Sequence, residues 1–285
     1  MVVQPLVSTD WLAAHLNNAN LCVVDVRWYL LDKDKNGRDE YLRGHIPGAI
    51  FLDVDADLAA PRGQGPGRHP LPRAEAFAET MARAGIGADT HAVAYDDLGG
   101  ATAARLWWLL RYFGHEKVSL LDGGIVRWIA DGRLLQTEVP RVARSAFVAH
   151  PHQERVVDRT VVGVLRKDAK ALVLDVRASE RYEGKVEPID PRAGHVPGAK
   201  SAPLAGNLVA PDDPRFLDPA TLRARYNALG ADKAERVVAY CGSGINTCQA
   251  IFAMRLAGID ALLYEGSWSD WSSDPDAPVA VGPNP

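Results

Sequence analysis

Cysteine is scarce in this sequence, with only Cys22, Cys241 and Cys248 among 285 residues. An odd number of widely spaced cysteines does not form a disulfide framework or a zinc-ligand set, so we expect neither disulfides nor a bound metal. A reducing cytoplasm is the simplest setting for such a chain, and it suits a working thiol.

Charge excess and long apolar runs are also missing. The formal net charge is −4, which provides no basic patch for nucleic acid. No run is long and apolar enough to span a bilayer, and residues 1–12 lack the basic-then-apolar layout of a secretory signal. We therefore expect a cytoplasmic protein without nucleic-acid or membrane partners.

The sequence does contain an internal repeat. The segment LCVVDVR at 21–27 recurs as LVLDVR at 172–177, and GHIPGA at 44–49 recurs as GHVPGA at 194–199. Both pairs have the same offset of 150 positions, measured from Asp25 to Asp175 and from His45 to His195. Two matches at a common offset indicate a duplication, and the length allows each copy its own core.

Short apolar strands alternate with helical segments in both halves, a pattern typical of an α/β domain with a central, mostly parallel sheet flanked by helices. We predict a domain at 1–135, a linker at 136–156, where periodicity is lost, and a second domain at 157–285. The elements with the clearest signals are strands at 21–26, 92–95, 118–121 and 171–176 and helices at 73–84, 101–113, 160–166, 219–229 and 249–256.

The stretch VVAYCGSGINTC at 237–248 carries the clearest chemical signal. A β-branched run ends at Cys241, and a helix follows the loop. Backbone N–H groups and the positive end of that helix favour a thiolate, the nucleophilic form of cysteine. Gly242 and Gly244 permit backbone angles that other residues resist, so we expect an anion-binding nest.

This loop resembles the active-site loop of the rhodanese superfamily of sulfurtransferases. Cys-Gly-Ser-Gly followed by the apolar Ile245 is similar to the mercaptopyruvate-type loop, whereas thiosulfate-type members typically carry basic residues after the cysteine. The sequence departs from the family at Asn246 and Thr247, where Thr and then Ala are more frequent. The resemblance covers about residues 6–279 and implies two tandem rhodanese-like domains.

The family resemblance also implies the residues that share the site. Arg181 and Arg192 match the two arginines that grip the carboxylate and carbonyl of mercaptopyruvate. Ser243, His69 and Asp55 match a Ser-His-Asp arrangement that moves a proton. The loop residues Gly242, Gly244, Ile245 and Asn246 are expected to surround the donor.

The first half looks like a catalytically silent copy, because Asp96 occupies the position of Cys241 and an aspartate cannot carry a persulfide sulfur. His45 and His195 occur in both halves and are expected to fix local structure. Asp175 and Arg177 are expected to do the same, since Asp25 and Arg27 are their counterparts.

The implied activity moves a sulfane sulfur from 3-mercaptopyruvate through a Cys241 persulfide to a thiol such as thioredoxin, or to cyanide, and releases pyruvate. It requires no cofactor, because the sulfur is carried covalently. Three alternatives stay open: a thiosulfate sulfurtransferase, a non-catalytic binding module, and a cysteine-based phosphatase. The phosphatase is disfavoured because its loop typically ends in an arginine, whereas this one reaches Thr247 and Cys248.

Overall fold

The computed structural model describes residues 3–32 and 34–285. The chain forms two compact units. The first consists of residues up to Ala59 with Pro72–His152 and Val209–Phe216, and the second of Ala60–Leu71, Gln153–Leu208 and Leu217–Pro285. The division of the sequence at 135 and 157 did not anticipate that 60–71 belong to the second unit and 209–216 to the first.

The first unit contains a five-stranded sheet in the order β1-β5-β4-β2-β3, and all neighbouring strands are parallel. Its strands are β1 (Leu6–Val7), β2 (Leu21–Asp25), β3 (Ile50–Phe51), β4 (His91–Tyr95) and β5 (Val118–Leu121). Its helices are α1 (Thr9–His15), α2 (Gly37–Arg43), α3 (Ala74–Arg83), α4 (Ala103–Tyr112) and α5 (Gly124–Ala130).

The second unit repeats this sheet in the order β6-β12-β11-β7-β8, again with parallel neighbours. Its strands are β6 (Val156–Val157), β7 (Ala171–Asp175), β8 (Lys200–Ser201), β11 (Arg236–Tyr240) and β12 (Leu262–Tyr264). Its helices are α6 (Arg159–Leu165), α7 (Ser179–Tyr182), α8 (Pro219–Ala228), α9 (Thr247–Leu256) and α10 (Ser267–Trp271). Strands β9 (Leu208–Ala210) and β10 (Asp213–Phe216) pair separately.

The predicted α/β fold is therefore confirmed. The matching order of the two sheets follows from the duplication, and it makes β4 equivalent to β11 and β2 to β7. The last four residues of both β4 and β11 are buried, as expected for strands covered on two faces. Polar side chains begin several helices: Ser8 accepts a hydrogen bond from the N–H of Trp11 at the start of α1, and Asp218 precedes α8, which starts with Pro219.

A buried ion pair follows the equivalent strand in each unit. Arg27 forms a fork with Asp25 and donates to the carbonyl of Gly44 (2.8 Å). Arg177 does the same with Asp175 and the carbonyl of Gly194 (2.5 Å). These pairs tie the strand ends to the His-Pro-Gly turns, so the structural role predicted for the aspartates and arginines is confirmed.

Residues 137–152, all of them described, contain no helix or strand. A 3₁₀ turn at Gln153–Arg155 leads directly into β6. The segment predicted as a linker thus lacks regular structure over most of its length, and its exact bounds stay a prediction. Within residues 3–32 and 34–285, no helix combines the length and the apolar character needed to cross a bilayer.

Candidate active site

Cys241 lies at the turn between β11 and α9, where the sequence predicted it. Cys241 is buried, with 5 % of its surface exposed. Its backbone N–H donates to Ser267 Oγ (3.2 Å), and its carbonyl accepts from the N–H of Trp268 (3.0 Å). Both backbone polar groups of the cysteine are therefore held by the start of α10.

The loop after the cysteine turns one amide toward the sulfur. The N–H of Gly244 donates to Cys241 Sγ (3.2 Å). Gly244 has φ +82°, and a Cβ built there would lie 2.6 Å from the carbonyl oxygen of Glu265. Glycine is thus required at 244 both for its backbone angle and for space. Ile245 is buried, and Asn246 immediately precedes α9.

Gly242 serves a different purpose from the one expected. Its backbone is outside the left-handed region, so the expectation based on φ is wrong for this residue. A Cβ at 242 would instead lie 3.3 Å from Arg68 Nη2 and 3.5 Å from Arg181 Nη1. The missing side chain leaves room for two guanidinium groups beside the loop.

Arg181 is fixed by carboxylates on the side away from Gly242. Its Nη2 donates to Glu187 Oε1 (2.6 Å) and to Asp190 Oδ2 (3.2 Å), and its Nε to Glu187 Oε2 (3.3 Å). This arrangement leaves Nη1 as the nitrogen nearest the loop. The predicted donor-binding arginine is therefore next to the cysteine loop.

Arg68 is a second cation at the same place, and the sequence analysis did not select it. Its Nη1 pairs with Asp190 Oδ1, and its backbone N–H donates to Ser269 Oγ (3.0 Å). Its Nε is buried and has no hydrogen-bond partner among the described residues. Since Nε and Nη2 form the edge of a guanidinium that meets a carboxylate with two parallel bonds, Arg68 keeps the Nε of this edge unpaired and its Nη2 near Gly242.

Arg192 is engaged elsewhere. Its Nε and two terminal nitrogens donate to four backbone carbonyls, those of Ser272 (2.9 Å), Ala277 (2.8 Å), Trp271 (3.1 Å) and Asp274 (2.5 Å). These carbonyls follow or end α10, where cationic side chains commonly complete the helix terminus. The geometry therefore brings Arg68, rather than Arg192, to the loop beside Arg181.

Ser243 and His69 meet as the family resemblance predicted. Both are buried, and His69 Nδ1 lies 2.7 Å from Ser243 Oγ. The histidine comes from the Gly/Pro segment that belongs to the second unit. A hydroxyl and an imidazole at this distance are within the hydrogen-bond reach that proton transfer requires.

Asp55 lies in the first unit, after β3. Its Oδ2 accepts a hydrogen bond from the indole Nε1 of Trp28 (2.8 Å). Its backbone N–H donates to Asp53 Oδ1 (2.8 Å), which closes a tight turn. The role of Asp55 in proton transfer stays a prediction.

Asp96 follows β4 as Cys241 follows β11, and its carboxylate is almost completely buried. Oδ1 accepts from the N–H groups of Leu98 and Gly100 (both 2.9 Å). Oδ2 accepts from the N–H groups of Thr102 (2.8 Å) and Ala103 (2.9 Å) and from Thr102 Oγ1 (3.1 Å). The first unit thus uses the equivalent loop to enclose a carboxyl group of its own.

The other two cysteines, Cys22 and Cys248, lie partly or fully away from solvent and form no disulfide. Cys248 is buried, and its Sγ donates to the carbonyl of Gly244 (3.4 Å). Burial raises the pKa of the Cys22 thiol to about 12. None of the three cysteines forms a disulfide, and the described residues include no group of three His, Cys, Asp or Glu side chains that could hold a metal.

Three residues of the site were not predicted from the sequence: Arg68, Asp190 and Ser267. A signal for Arg68 was present, because it directly precedes His69 in a Gly/Pro loop and donor binding calls for cations. Asp190 lies in the loop between the two predicted arginines. Nothing in the sequence marks Ser267 as the partner of the Cys241 N–H group.

The chain was compared with known proteins. It is 42 % identical over 97 % of its length, and 98 % of the relative's, to a Pseudomonas aeruginosa protein named "Probable 3-mercaptopyruvate sulfurtransferase". It is 34 % identical, over 97 % of this chain and 78 % of the other, to the mitochondrial thiosulfate/3-mercaptopyruvate sulfurtransferase 1 of Arabidopsis thaliana.

The crystal structure of SseA from Escherichia coli, a 3-mercaptopyruvate sulfotransferase with the rhodanese fold, has a TM-score of 0.82 to this structure. It is 33 % identical and is matched over 94 % of this chain and 100 % of that one. Residues 8–131 and 162–274 match the family described as "Rhodanese-like domain". The two matched segments cover four of the five strands of each sheet, and the chain belongs to the rhodanese family.

Proposed function

We propose that this protein transfers a sulfane sulfur from 3-mercaptopyruvate through a Cys241 persulfide to a thiol acceptor and releases pyruvate. The observation that carries this proposal is the pair of guanidinium nitrogens beside Gly242 in the loop of Cys241: Arg68 Nη2, whose neighbour Nε has no hydrogen-bond partner among the described residues, and Arg181 Nη1. The names of the relatives support the same activity.

The donor's carboxylate is proposed to bind the Nε and Nη2 edge of Arg68. Arg181 Nη1 then faces the neighbouring carbonyl oxygen. Both guanidinium groups are partly enclosed, with side-chain exposures of 12 % and 19 %, so water competes little for their N–H groups. Two planar cations provide the orientation that sulfur transfer needs.

In the proposed step, the Cys241 thiolate attacks the sulfur of mercaptopyruvate. A sulfur–sulfur bond forms, the carbon–sulfur bond breaks, and its electron pair passes to the carbon skeleton as the enolate of pyruvate. The Gly244 N–H, already 3.2 Å from Sγ, is placed to hold the sulfur during attack. The enolate carbon then takes a proton.

Ser243 is proposed to deliver that proton, with His69 exchanging protons across the 2.7 Å contact. Asp55 is proposed to orient the imidazole, as a carboxylate does in comparable triads. An Asp55→Asn variant is therefore expected to lose kcat while retaining the KM for the donor.

A thiol such as thioredoxin, or cyanide in vitro, is proposed to remove the outer sulfur and regenerate Cys241. No metal or organic cofactor enters the scheme. We assign no sulfur transfer to the first unit, because the nest after β4 is filled by Asp96 itself.

A thiosulfate donor is the second candidate. Arg68 and Arg181 face the loop as cations, and the Arabidopsis relative's name includes thiosulfate. Against it, Gly242 and Ser243 place no basic side chain directly after the cysteine, and a dianionic donor requires more positive charge than a monoanion.

Steady-state sulfur transfer to cyanide with each donor tests the proposal. We expect a large kcat/KM preference for mercaptopyruvate that disappears in Cys241→Ser and persists in Cys248→Ser, a matched change at a buried thiol in the same segment. A preference for thiosulfate would favour the second candidate. No Cys241-dependent turnover with either donor would refute both and favour a binding module.

A further inference from the structure

Two carboxylates hold the far sides of the cations that face the cysteine loop. Asp190 binds Arg68 through Oδ1 and Arg181 through Oδ2. Glu187 binds Arg181 and also reaches Arg177 Nη1 (3.2 Å). The side chains of Asp190 and Glu187 are only 3 % and 4 % exposed, so their charges are weakly screened by water.

The buried network is electrically balanced. Its three cations are Arg68, Arg177 and Arg181, and its three anions are Asp175, Asp190 and Glu187. Arg177 is fully engaged by its partners, whereas Arg68 and Arg181 are neutralised on one side and keep Nη2 and Nη1, respectively, toward Gly242. The guanidinium N–H groups of Arg68 and Arg181 beside the loop therefore have fixed directions, and the net positive charge of the network is small.

Asp190 is the member of this network that links the two cations nearest the loop. It also determines which part of Arg68 is free, because it occupies Nη1 and leaves the Nε and Nη2 edge open. Glu187 has an additional structural task, since Oε1 accepts the N–H groups of Ile189 (3.2 Å) and Asp190 (3.1 Å). The charge of Asp190 can therefore be removed without removing the bonds that shape this turn.

We propose that Asp190 determines donor specificity: by offsetting the charge of Arg68 and Arg181, it makes the site select a monoanionic thiol-bearing keto acid over a dianionic sulfur donor. This inference rests on the proposed function. Asp190 does not touch the reacting atoms, so its role is to position the two arginines and to limit their net charge.

The physical reason is the difference of one unit of charge between the two donors. A dianion gains about twice as much as a monoanion from any added positive potential, and it loses twice as much from the negative charge of Asp190. For unit charges several ångströms apart in a partly enclosed site, this difference is large enough to alter relative kcat/KM by about tenfold or more.

The experiment compares mercaptopyruvate and thiosulfate as donors in wild type and in Asp190→Asn, which keeps the side-chain size and removes the charge. We expect the ratio of kcat/KM for thiosulfate to that for mercaptopyruvate to increase about tenfold. Asp190→Glu, which restores the charge, is expected to return the ratio toward the wild-type value.

Glu183→Gln is the matched control. It removes one negative charge from the same segment, but Glu183 pairs with the exposed Lys185 and is not part of the buried network. The ratio of kcat/KM for thiosulfate to that for mercaptopyruvate should not change in this variant. An equal loss of activity with both donors in Asp190→Asn, or an unchanged ratio, would refute the specificity role.

A binding measurement separates this inference from the proposed function. In a Cys241→Ser background, which cannot form a persulfide, calorimetric titration with pyruvate and with thiosulfate reports the affinity of a monoanion and a dianion. Adding Asp190→Asn, or Asp190→Ser if the asparagine variant does not fold, should strengthen thiosulfate binding relative to pyruvate. Absence of that change overturns the inference, whereas absence of wild-type turnover overturns only the proposed function.

Discussion

Replacement of Arg68 by alanine tests the donor site most directly. The structure leaves its Nε buried without a partner and turns Nη2 toward Gly242. A carboxylate that takes both N–H groups gains two charge-assisted hydrogen bonds, together about 2–4 kcal/mol in a partly enclosed site. We therefore expect Arg68→Ala to lower kcat/KM for mercaptopyruvate by roughly 30- to 1,000-fold, mainly through KM.

Arg192→Ala is the matched comparison. The family resemblance predicts that Arg192 binds the donor, but in the structure its side chain does not lie beside the Cys241 loop. Its four hydrogen bonds to carbonyls beside α10 hold local structure. Losing them is expected to lower the free energy of unfolding by about 2–4 kcal/mol, while the KM for mercaptopyruvate stays within about threefold of wild type.

The KM and kcat of both variants for mercaptopyruvate are measured under conditions in which each variant is fully folded. Their free energies of unfolding are measured by urea titration. Arg68→Lys separates charge from geometry, since lysine keeps the cation but lacks the planar fork. An Arg192→Ala variant that raises KM as much as Arg68→Ala does, or an Arg68→Ala variant with unchanged KM, would refute the assignment of Arg68 to the donor.

Three further predictions follow from buried contacts. Asp96→Asn should lower the free energy of unfolding by about 3–5 kcal/mol in urea titrations, because an amide cannot accept from both groups of N–H donors; a loss below 1 kcal/mol would contradict this. Ser267→Ala should be less stable than Ser267→Gly by about 1 kcal/mol, since Ser267 has φ +54° and glycine tolerates that angle; equal thermal unfolding would argue otherwise. Cys22 should resist iodoacetamide at pH 8, where a thiol with a pKa of about 12 is ionised in roughly one molecule in ten thousand; mass spectrometry of tryptic peptides checks this.

The features that could be predicted from the sequence depend on the pattern of apolar and polar residues within short segments. Strand β5 occupies the predicted residues 118–121, and the other predicted strands and helices begin or end within a few residues of their predicted bounds. The position of Cys241 between a strand and a helix follows from the same short-range signals. The repeat predicted equivalent sheets, because equal sequences at a constant offset fold alike.

The features that were not predictable depend on contacts between distant residues. The Arg68–Asp190 pair joins positions 122 residues apart. The periodicity of apolar residues predicts local secondary structure and does not predict such a contact. Arg192 appeared equivalent to Arg181 in sequence, yet backbone carbonyls near α10 take its donors. Gly242 appeared to be chosen for its backbone angle, whereas the space it leaves for guanidinium groups is what the structure uses.

The loops after β4 and β11 can be compared by the backbone hydrogen bonds that they form. In the first unit, backbone N–H groups surround Asp96, so the loop alone satisfies one anion. In the second unit the carbonyl of Cys241 is held in the same way as that of Asp96, by an N–H at the start of the helix after the next strand, which is α10 for Cys241 and α5 for Asp96 (3.0 Å in both). The backbone carbonyl at this position is therefore held in the same way whether an aspartate or a cysteine occupies it.

A sulfur donor brings additional negative charge, and the Cys241 loop has no cationic side chain to meet it. That charge is met from outside the loop by Arg68 and Arg181, which approach because Gly242 has no side chain. A basic residue at 242 would occupy the space of these guanidinium groups. The two ways of supplying positive charge are thus alternatives, and donor choice depends on the arginines and their carboxylates as much as on the residues that follow the cysteine.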